Sequence, residues 1–259
     1  MSAGFVNRRE LRVLAMRRSG HHAVIHWILS QLPGPGLFAN DGKVEGGAGD
    51  SGGRGGRGGR LVGNRFSHYV NLTDDEVARD RAGDWVAKDL YLWNAEDRTV
   101  EELAELAPAA ARGASAEVTS LLVLRDPWNW AASRRRAEPE RPLAGTPELA
   151  AWKGHVREAL RRTKHLEPLV AVDFRRWVAE ETYRRALAGA LGLPFTDAGF
   201  REVALPGLSS FSTDEVRRDN AVVLDRYREL AHDGEIQAAL DAEVRELAAA
   251  FFGWRPPAG

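Results

Sequence analysis

Residues suited to binding an anion follow the first apolar run of the chain. The segment Arg17–His22, RRSGHH, directly precedes a stretch with helical spacing of apolar residues. A helix start attracts anions because its first N–H groups are unpaired and the positive end of its dipole lies there. Gly20 lets the backbone approach a ligand, Ser19 adds a hydroxyl donor, and Arg18 adds a planar fork of donors. The segment predicts a phosphate-like anion site. A surface arginine pair beside a helix cap is the alternative.

A second basic turn, Arg125–Arg136, has the sequence RDPWNWAASRRR. Asp126 followed by Pro127 is typical of a helix N-cap and first helical position. Arg125 then ends a strand, and Ser133 lies about two helical turns further on. An arginine and a hydroxyl in this arrangement can hold a second anion. The alternative is a helix cap with a solvated basic face.

Two other site chemistries are disfavoured by spacing. The first turn lacks the G-x-x-x-x-G-K-[ST] pattern of a Walker A loop, which argues against an ordinary nucleoside triphosphatase. His22 and His26 are four residues apart and share a helix face, which raises the alternative of a metal site together with His21. The glutamate of an H-E-x-x-H motif is missing and no third ligand is evident, so we predict no metal.

Short apolar runs alternate with amphipathic segments, and these elements must position the two turns. This alternation predicts an α/β fold: a mainly parallel sheet with helices on both faces, whose ligand crevice lies at the carboxyl ends of the strands. The chemistry is therefore expected just after Met16, Leu92 and Leu124. The predicted strands are Leu11–Met16, Trp85–Leu92, Thr119–Leu124 and Leu169–Phe174, and the predicted helices include Pro147–Thr163, Arg175–Leu191 and Ile236–Phe252.

Composition narrows the function classes. The chain has 259 residues, 44% of them hydrophobic, which suits one α/β domain over residues 1–259 and excludes disorder throughout. Its 36 basic and 37 acidic side chains give no global field for nucleic acid or an anionic membrane. The absence of cysteine removes disulfides and thiolate chemistry. No apolar run resembles an export signal or a membrane span, so we expect a soluble cytoplasmic protein.

One segment differs in composition from the rest. Glycine occupies ten of the nineteen positions in Gly42–Arg60, interspersed with Arg54, Arg57 and Arg60. Such a stretch predicts a flexible loop inserted in the domain. The alternative, a nucleic-acid-binding Arg-Gly tract, is weaker because the segment has no aromatic residue that could stack on bases.

The two basic turns together resemble the motifs of the sulfotransferases that use 3′-phosphoadenosine-5′-phosphosulfate (PAPS). Arg18-Ser19-Gly20 is similar to the family's motif for the 5′-phosphosulfate, and Arg125 with Ser133 to its motif for the 3′-phosphate. Further similarity lies at Val172-Asp173-Phe174, at the turn Leu191–Phe195 and at Phe252-Gly253-Trp254. The resemblance implies the fold of that family, related to the P-loop nucleotide hydrolases, and PAPS as co-substrate without a metal. It also implies that the cofactor-binding residues are Arg17, Arg18, Ser19, Gly20, His21, His22, Arg125 and Ser133.

The sequence departs from the family pattern in three places. Arginine at position 18 replaces the lysine of the cytosolic members, and His21 and His22 replace a threonine-rich continuation. An Arg-Lys-Gly clamp for the 3′-phosphate is missing near the C-terminus. Ser209 and Ser210 lie in the corresponding region and are candidates to supply hydroxyl donors instead.

The acceptor of the sulfonate needs a general base within hydrogen-bond reach. The family carries one near the strand before the Arg-Asp-Pro motif, which makes Asp89 the leading candidate. His22, His68 and Glu96 remain alternatives, and a salt bridge is the alternative role for Asp89. Arg18 is the first candidate to stabilise the leaving phosphate oxygen, so the predicted catalytic residues are Arg18, Asp89 and His22.

The resemblance implies transfer of a sulfonate group to a hydroxyl or amine of a small molecule or glycan. Two other functions remain open: a nucleotide or nucleoside kinase with an unusual phosphate loop, and a non-catalytic nucleotide-binding scaffold of the same fold. The sequence identifies neither the acceptor nor the oligomeric state.

Overall fold

Strands and helices alternate along the part of the chain that the computed structural model describes, which comprises residues 5–40, 44–45, 60–61, 67–200, 224–230 and 232–253. The strands are β1 Asn7–Ala15, β2 Gly36–Ala39, β3 Val44–Glu45, β4 Arg60–Leu61, β5 Ser67–Val70, β6 Lys88–Glu96, β7 Ser115–Leu124 and β8 Leu169–Asp173. The helices are α1 His21–Ser30, α2 Asp74–Arg81, α3 Val100–Ala110, α4 Pro127–Ala137, α5 Pro147–Ala159, α6 Phe174–Ala179, α7 Glu181–Ala190, a 3-10 helix Arg226–Leu230, α8 Gly234–Ala239 and α9 Ala242–Phe252.

Six of these strands form one sheet in the order β5-β2-β6-β1-β7-β8. All neighbours pair in parallel except β5, which is antiparallel to β2 at one edge. The predicted α/β class and mainly parallel sheet are confirmed. Because β1, β6 and β7 are parallel neighbours, their carboxyl ends lie side by side at one edge.

Helices cover both faces of the sheet because the central strands are apolar on both sides. Along β1, Leu14 packs with α3, α4, α5 and α9, whereas Leu11 and Val13 pack with α1, α6 and α7. All three of these side chains are at most 3% exposed. The strands that position the turns are therefore anchored from both sides.

Several predicted boundaries were wrong. The strand predicted at Trp85–Leu92 is β6, Lys88–Glu96, so its carboxyl end is Glu96 and not Leu92. The helix predicted over Arg175–Leu191 is split into α6 and α7 at Glu180, which has an extended backbone. The helix predicted over Ile236–Phe252 is divided by Asp241, which caps α9 with its side chain.

Some predictions fall on positions outside the described residues. Ser209, Ser210 and Trp254 are among them, as is most of Gly42–Arg60, whose ends pair as the two-stranded sheet β3–β4. Among the described helices, none combines the length and apolar character needed to cross a lipid bilayer.

Candidate active site at the carboxyl edge of the sheet

The turn between β1 and α1 has an unusual backbone. Arg18 and Gly20 have φ values of 71° and 87°, in the left-handed region. A Cβ atom on Gly20 would overlap the ring of Phe174, so both the backbone and the packing require glycine here. Helix α1 starts directly afterwards, and its N-cap residue, Gly20, has no side chain that could accept a hydrogen bond from the first N–H groups. This is the arrangement that favours an anion at a helix N-terminus.

The Arg125 turn meets the Arg18 turn. Nη1 of Arg125 donates a hydrogen bond of 3.1 Å to the carbonyl oxygen of Arg18. Nε1 of Trp130, on α4, donates one of 3.1 Å to the carbonyl oxygen of Arg17. The predicted meeting of the two turns at one edge of the sheet is confirmed by these contacts. They occur because β1 and β7 are adjacent parallel strands that end together.

Guanidinium groups are buried at this meeting point. Arg125 is 4% exposed, and burial lowers its pKa to about 10, although the charge of Asp126 opposes the shift. Nε of Arg18 is also buried and has no hydrogen-bond partner within the described part of the chain. A buried cationic donor is costly unless an anion pairs with it. The turn therefore has the features of a site that is completed by an anionic ligand.

Arg226 adds another buried guanidinium from a distant part of the chain. Burial and the nearby charges of Arg125, Arg136 and Arg18 together lower its pKa to about 9, although the charge of Glu229 opposes the shift. The 3-10 helix that carries Arg226 is held against α4, because Asn129 donates 2.7 Å to the carbonyl of Leu224. An anion bound near these guanidinium groups would interact favourably with their charges.

The rest of the second motif is buried in α4. Ser133 is 2% exposed, and Asp126 caps the helix as predicted by accepting a bond of 2.9 Å from the backbone N–H of Asn129. Trp128 and Trp130 are also buried and belong to the hydrophobic core on this face of the sheet. The last turn of the helix is less solvated than its sequence indicates, because Arg134 is buried and pairs with Asp97 at 2.9 Å.

A carboxylate and two imidazoles lie beside the first turn, at the end of β6. Nε2 of His21 is 2.9 Å from Oε1 of Glu96, and Nε2 of His22 is 3.6 Å from the same oxygen. Burial alone would raise the pKa of Glu96, but the hydrogen bond with His21 and the charges of His21, His22 and Arg17 lower it to about 2. Burial and the charge of His21 lower the pKa of His22 to about 4. Glu96 is therefore an ionised carboxylate at neutral pH.

Arg17 is held by acidic side chains at the outer rim. Its backbone N–H donates 2.8 Å to Oδ1 of Asp97, and its Nε lies 3.5 Å from Oε2 of Glu96. Glu138 is 4.0 Å from its Nη1. Its charge is thus largely balanced.

Asp89 is not part of this site, and the prediction that placed it there was wrong. It is the second residue of β6, beside Gly34 at the amino end of the strand, seven residues before Glu96. At the usual rise per residue this separates the two by roughly 23 Å. The error follows from the misplaced strand end. His68 lies on edge strand β5, paired with Phe38.

Comparisons with solved structures identify the fold. A sulfotransferase domain of the Synechococcus PCC 7002 olefin synthase superposes with a TM-score of 0.53 and 15% identity, covering 98% of both chains. The chain has a sulfotransferase fold. Two further structures each give a TM-score of 0.49 at 12% identity. One is a sulfotransferase domain from the curacin biosynthetic pathway, and the match covers 95% of this chain and 98% of that chain. The other is mouse sulfotransferase SULT7A1 complexed with PAP, and the match covers 95% of this chain and 85% of that chain. No protein-family model and no curated protein matches the sequence.

Within this sulfotransferase fold, sequence reasoning missed Arg226 and ranked Glu96 below Asp89. The residues before Arg226 form no recognisable motif, and Arg226 lies about one hundred positions after Arg125. The local sequence therefore gives no sign that Arg226 lies near the two turns. Glu96 had a usable signal: it stands just before Asp97 and Thr99, and Thr99 begins α3 with a capping box. A helix start at that point sets the strand end at Glu96.

Proposed function

We propose that this chain is a sulfotransferase that moves the sulfonate group of PAPS to a hydroxyl or amine of a small molecule or glycan. The observation that carries the proposal is the contact between the Arg18 and Arg125 turns at the carboxyl edge of the sheet. Two anion-binding turns that meet at one edge suit a ligand with phosphate groups at both ends of a nucleoside.

The residues present fit such a ligand. The start of α1 with glycine as its N-cap, the close backbone at Gly20 and the buried Nε of Arg18 suit the 5′-phosphosulfate. Arg125 and Ser133 suit the 3′-phosphate, as the resemblance implies. Arg226 supplies the additional guanidinium that the missing C-terminal clamp would otherwise contribute.

Glu96 is the proposed general base, replacing Asp89. The acceptor oxygen forms a bond to sulfur while the bond between sulfur and the bridging phosphate oxygen breaks, and Glu96 takes the acceptor's proton. Arg18 stabilises the negative charge that develops on the departing phosphate oxygen. In-line positioning and charge stabilisation supply most of the rate in the related phosphoryl transfers, so little covalent chemistry is required of the protein. His22, beside Glu96, remains a proposed catalytic residue.

Calorimetry with 3′-phosphoadenosine-5′-phosphate (PAP) tests the binding half of the proposal. Wild type should bind PAP, and Arg18→Ala and Arg125→Ala should each weaken binding by about 10- to 100-fold, since a hydrogen bond to a charged group contributes about 1.5–3 kcal/mol. Arg185→Ala, which removes an exposed arginine on α7, is the control and should leave affinity unchanged. No binding by wild type would refute the proposal.

A transfer assay tests the chemical half. Wild type with PAPS and a panel of hydroxyl and amine acceptors should release PAP without added magnesium. Turnover of ATP with Mg²⁺ in place of PAPS would instead identify a kinase. PAP affinity without transfer to any acceptor would favour a nucleotide-binding scaffold.

A further inference from the structure

Three side chains with metal-binding atoms converge beside the first turn. Nε2 of His21 and Nε2 of His22 lie 2.9 Å and 3.6 Å from Oε1 of Glu96, and the three ligand atoms are all within 4.8 Å of one another. The two imidazole rings lie close together, with centroids 4.2 Å apart. Oδ1 of Asn40 is 3.1 Å from Nε2 of His22 and adds a fourth oxygen or nitrogen atom.

The spacing suits one transition-metal ion. Zinc binds imidazole nitrogen and carboxylate oxygen at about 2.0–2.2 Å, so two ligands of a tetrahedral ion stand roughly 3.4 Å apart. The two histidine-to-Glu96 distances, 2.9 Å and 3.6 Å, lie on either side of that value. A set of two histidines and one carboxylate suits zinc better than magnesium, which prefers oxygen ligands.

The surroundings also match those of metal-bound histidines. Nδ1 of His21 is 3.2 Å from Oγ of Ser19, so the second ring nitrogen has a hydrogen-bond partner that fixes the orientation of the ring. The His22 side chain is 23% exposed, which opens a route for an ion, while that of His21 is only 3% exposed. Arg17 approaches the other oxygen of Glu96, Oε2, and Asp97 offsets its charge.

We propose that His21, His22 and Glu96 form a binding site for one zinc ion next to the anion-binding turn. This site differs from the one indicated by the spacing of His22 and His26. Its two histidines are the neighbours His21 and His22, and its third ligand is Glu96 on β6. The consequence for activity rests on the proposed function: an ion bound to Glu96 removes the proton acceptor, so zinc inhibits sulfonate transfer and a chelator restores it.

Titration of Zn²⁺ into the full-length, untagged, chelator-treated chain tests the site without nucleotide or acceptor. Calorimetry should give one ion per chain for wild type. His22→Gln and Glu96→Gln should each weaken binding by at least about tenfold. His26→Gln is the matched control, because His26 lies one turn further along α1 with its Nε2 near Oγ of Ser30. It should bind zinc like wild type.

Wild-type measurements keep the test independent of variant folding. Co²⁺ should produce the visible absorption of a four- or five-coordinate site that contains imidazole, Zn²⁺ should displace it, and Mg²⁺ should not. Absence of zinc binding by wild type, binding unaffected by His22→Gln or Glu96→Gln in folded protein, or loss of binding in His26→Gln would each overturn the site. Zinc binding by a chain that fails to bind PAP would refute only the proposed function. Sulfonate transfer from PAPS by a chain that does not bind zinc would refute only this inference.

Discussion

The proposed role of Arg226 follows from its neighbours in space and not from its neighbours in the sequence. It is buried among the positive charges of Arg18, Arg125 and Arg136. A ligand phosphate bound beside this guanidinium would form charge-assisted hydrogen bonds with it.

Replacing Arg226 by alanine should therefore weaken PAP binding by about 10- to 100-fold, in the range expected for one hydrogen bond to a charged group. Arg228→Ala is the matched control, because Arg228 lies two residues away on the same 3-10 helix with a side chain that is 66% exposed. Calorimetry should show wild-type affinity for the control. Equal losses in both variants would mean that the helix, and not the Arg226 charge, is responsible.

Glu96→Gln should lower kcat for sulfonate transfer by about 10²- to 10⁴-fold, the usual contribution of a general base. PAP affinity should change little, because the carboxylate acts on the acceptor. Asp89→Asn is the comparison variant and should transfer at the wild-type rate, since Asp89 lies at the opposite end of β6. Loss of activity in Asp89→Asn with full activity in Glu96→Gln would reverse the assignment.

At the scale of elements, the β1–α1 turn is held in shape by its packing against the start of α6. Gly20 lies against the ring of Phe174, and the Arg125 guanidinium lies 5.7 Å from the centroid of the same ring. The start of α6, through Phe174, thus supports both anion-binding turns.

Gly20→Ala tests this support. A side chain at positive φ costs about 1–2 kcal/mol, and the overlap with Phe174 should add about 1–3 kcal/mol. Gly145→Ala is the control, because Gly145 also has positive φ, 69°, but a Cβ there meets nothing within 4 Å. Urea unfolding should show the larger loss of stability for Gly20→Ala. Equal losses would mean that Phe174 yields without cost.

At the scale of the whole molecule, His155 links α5 to the segment between β6 and α3. It is fully buried, and its Nε2 is 2.7 Å from the carbonyl oxygen of Arg98. Burial lowers its pKa from 6.5 to about 4, although the hydrogen bond with that carbonyl opposes the shift.

As the pH falls, His155 therefore binds a proton at a higher pH in the unfolded chain than in the folded chain. The stability contributed by the neutral ring is complete above pH 6.5 and is lost as the pH falls towards 4, by on the order of 3 kcal/mol. Unfolding free energies of wild type and His155→Gln should differ more at pH 7 than at pH 4.5. A difference that stays constant over this range would contradict the prediction.

The local sequence determined much of this protein. The apolar runs and caps set the α/β class, and the Arg-Ser-Gly and Arg-Asp-Pro turns follow strands as their residue types require. These features depend on backbone preferences and on hydrogen bonds between residues close in the chain, so they can be inferred without the fold. The end of β6 was misjudged: the predicted strand stops at Leu92, whereas the paired strand continues to Glu96.

Only the tertiary structure decided which side chains share the site. The contact between Arg125 and the Arg18 carbonyl, the approach of His21 to Glu96 and the placement of Arg226 each join residues that are at least 75 positions apart. Strand order and the packing of α4 against the 3-10 helix bring them together. Such pairings depend on burial of apolar faces summed over the whole chain, which no local pattern of residues records.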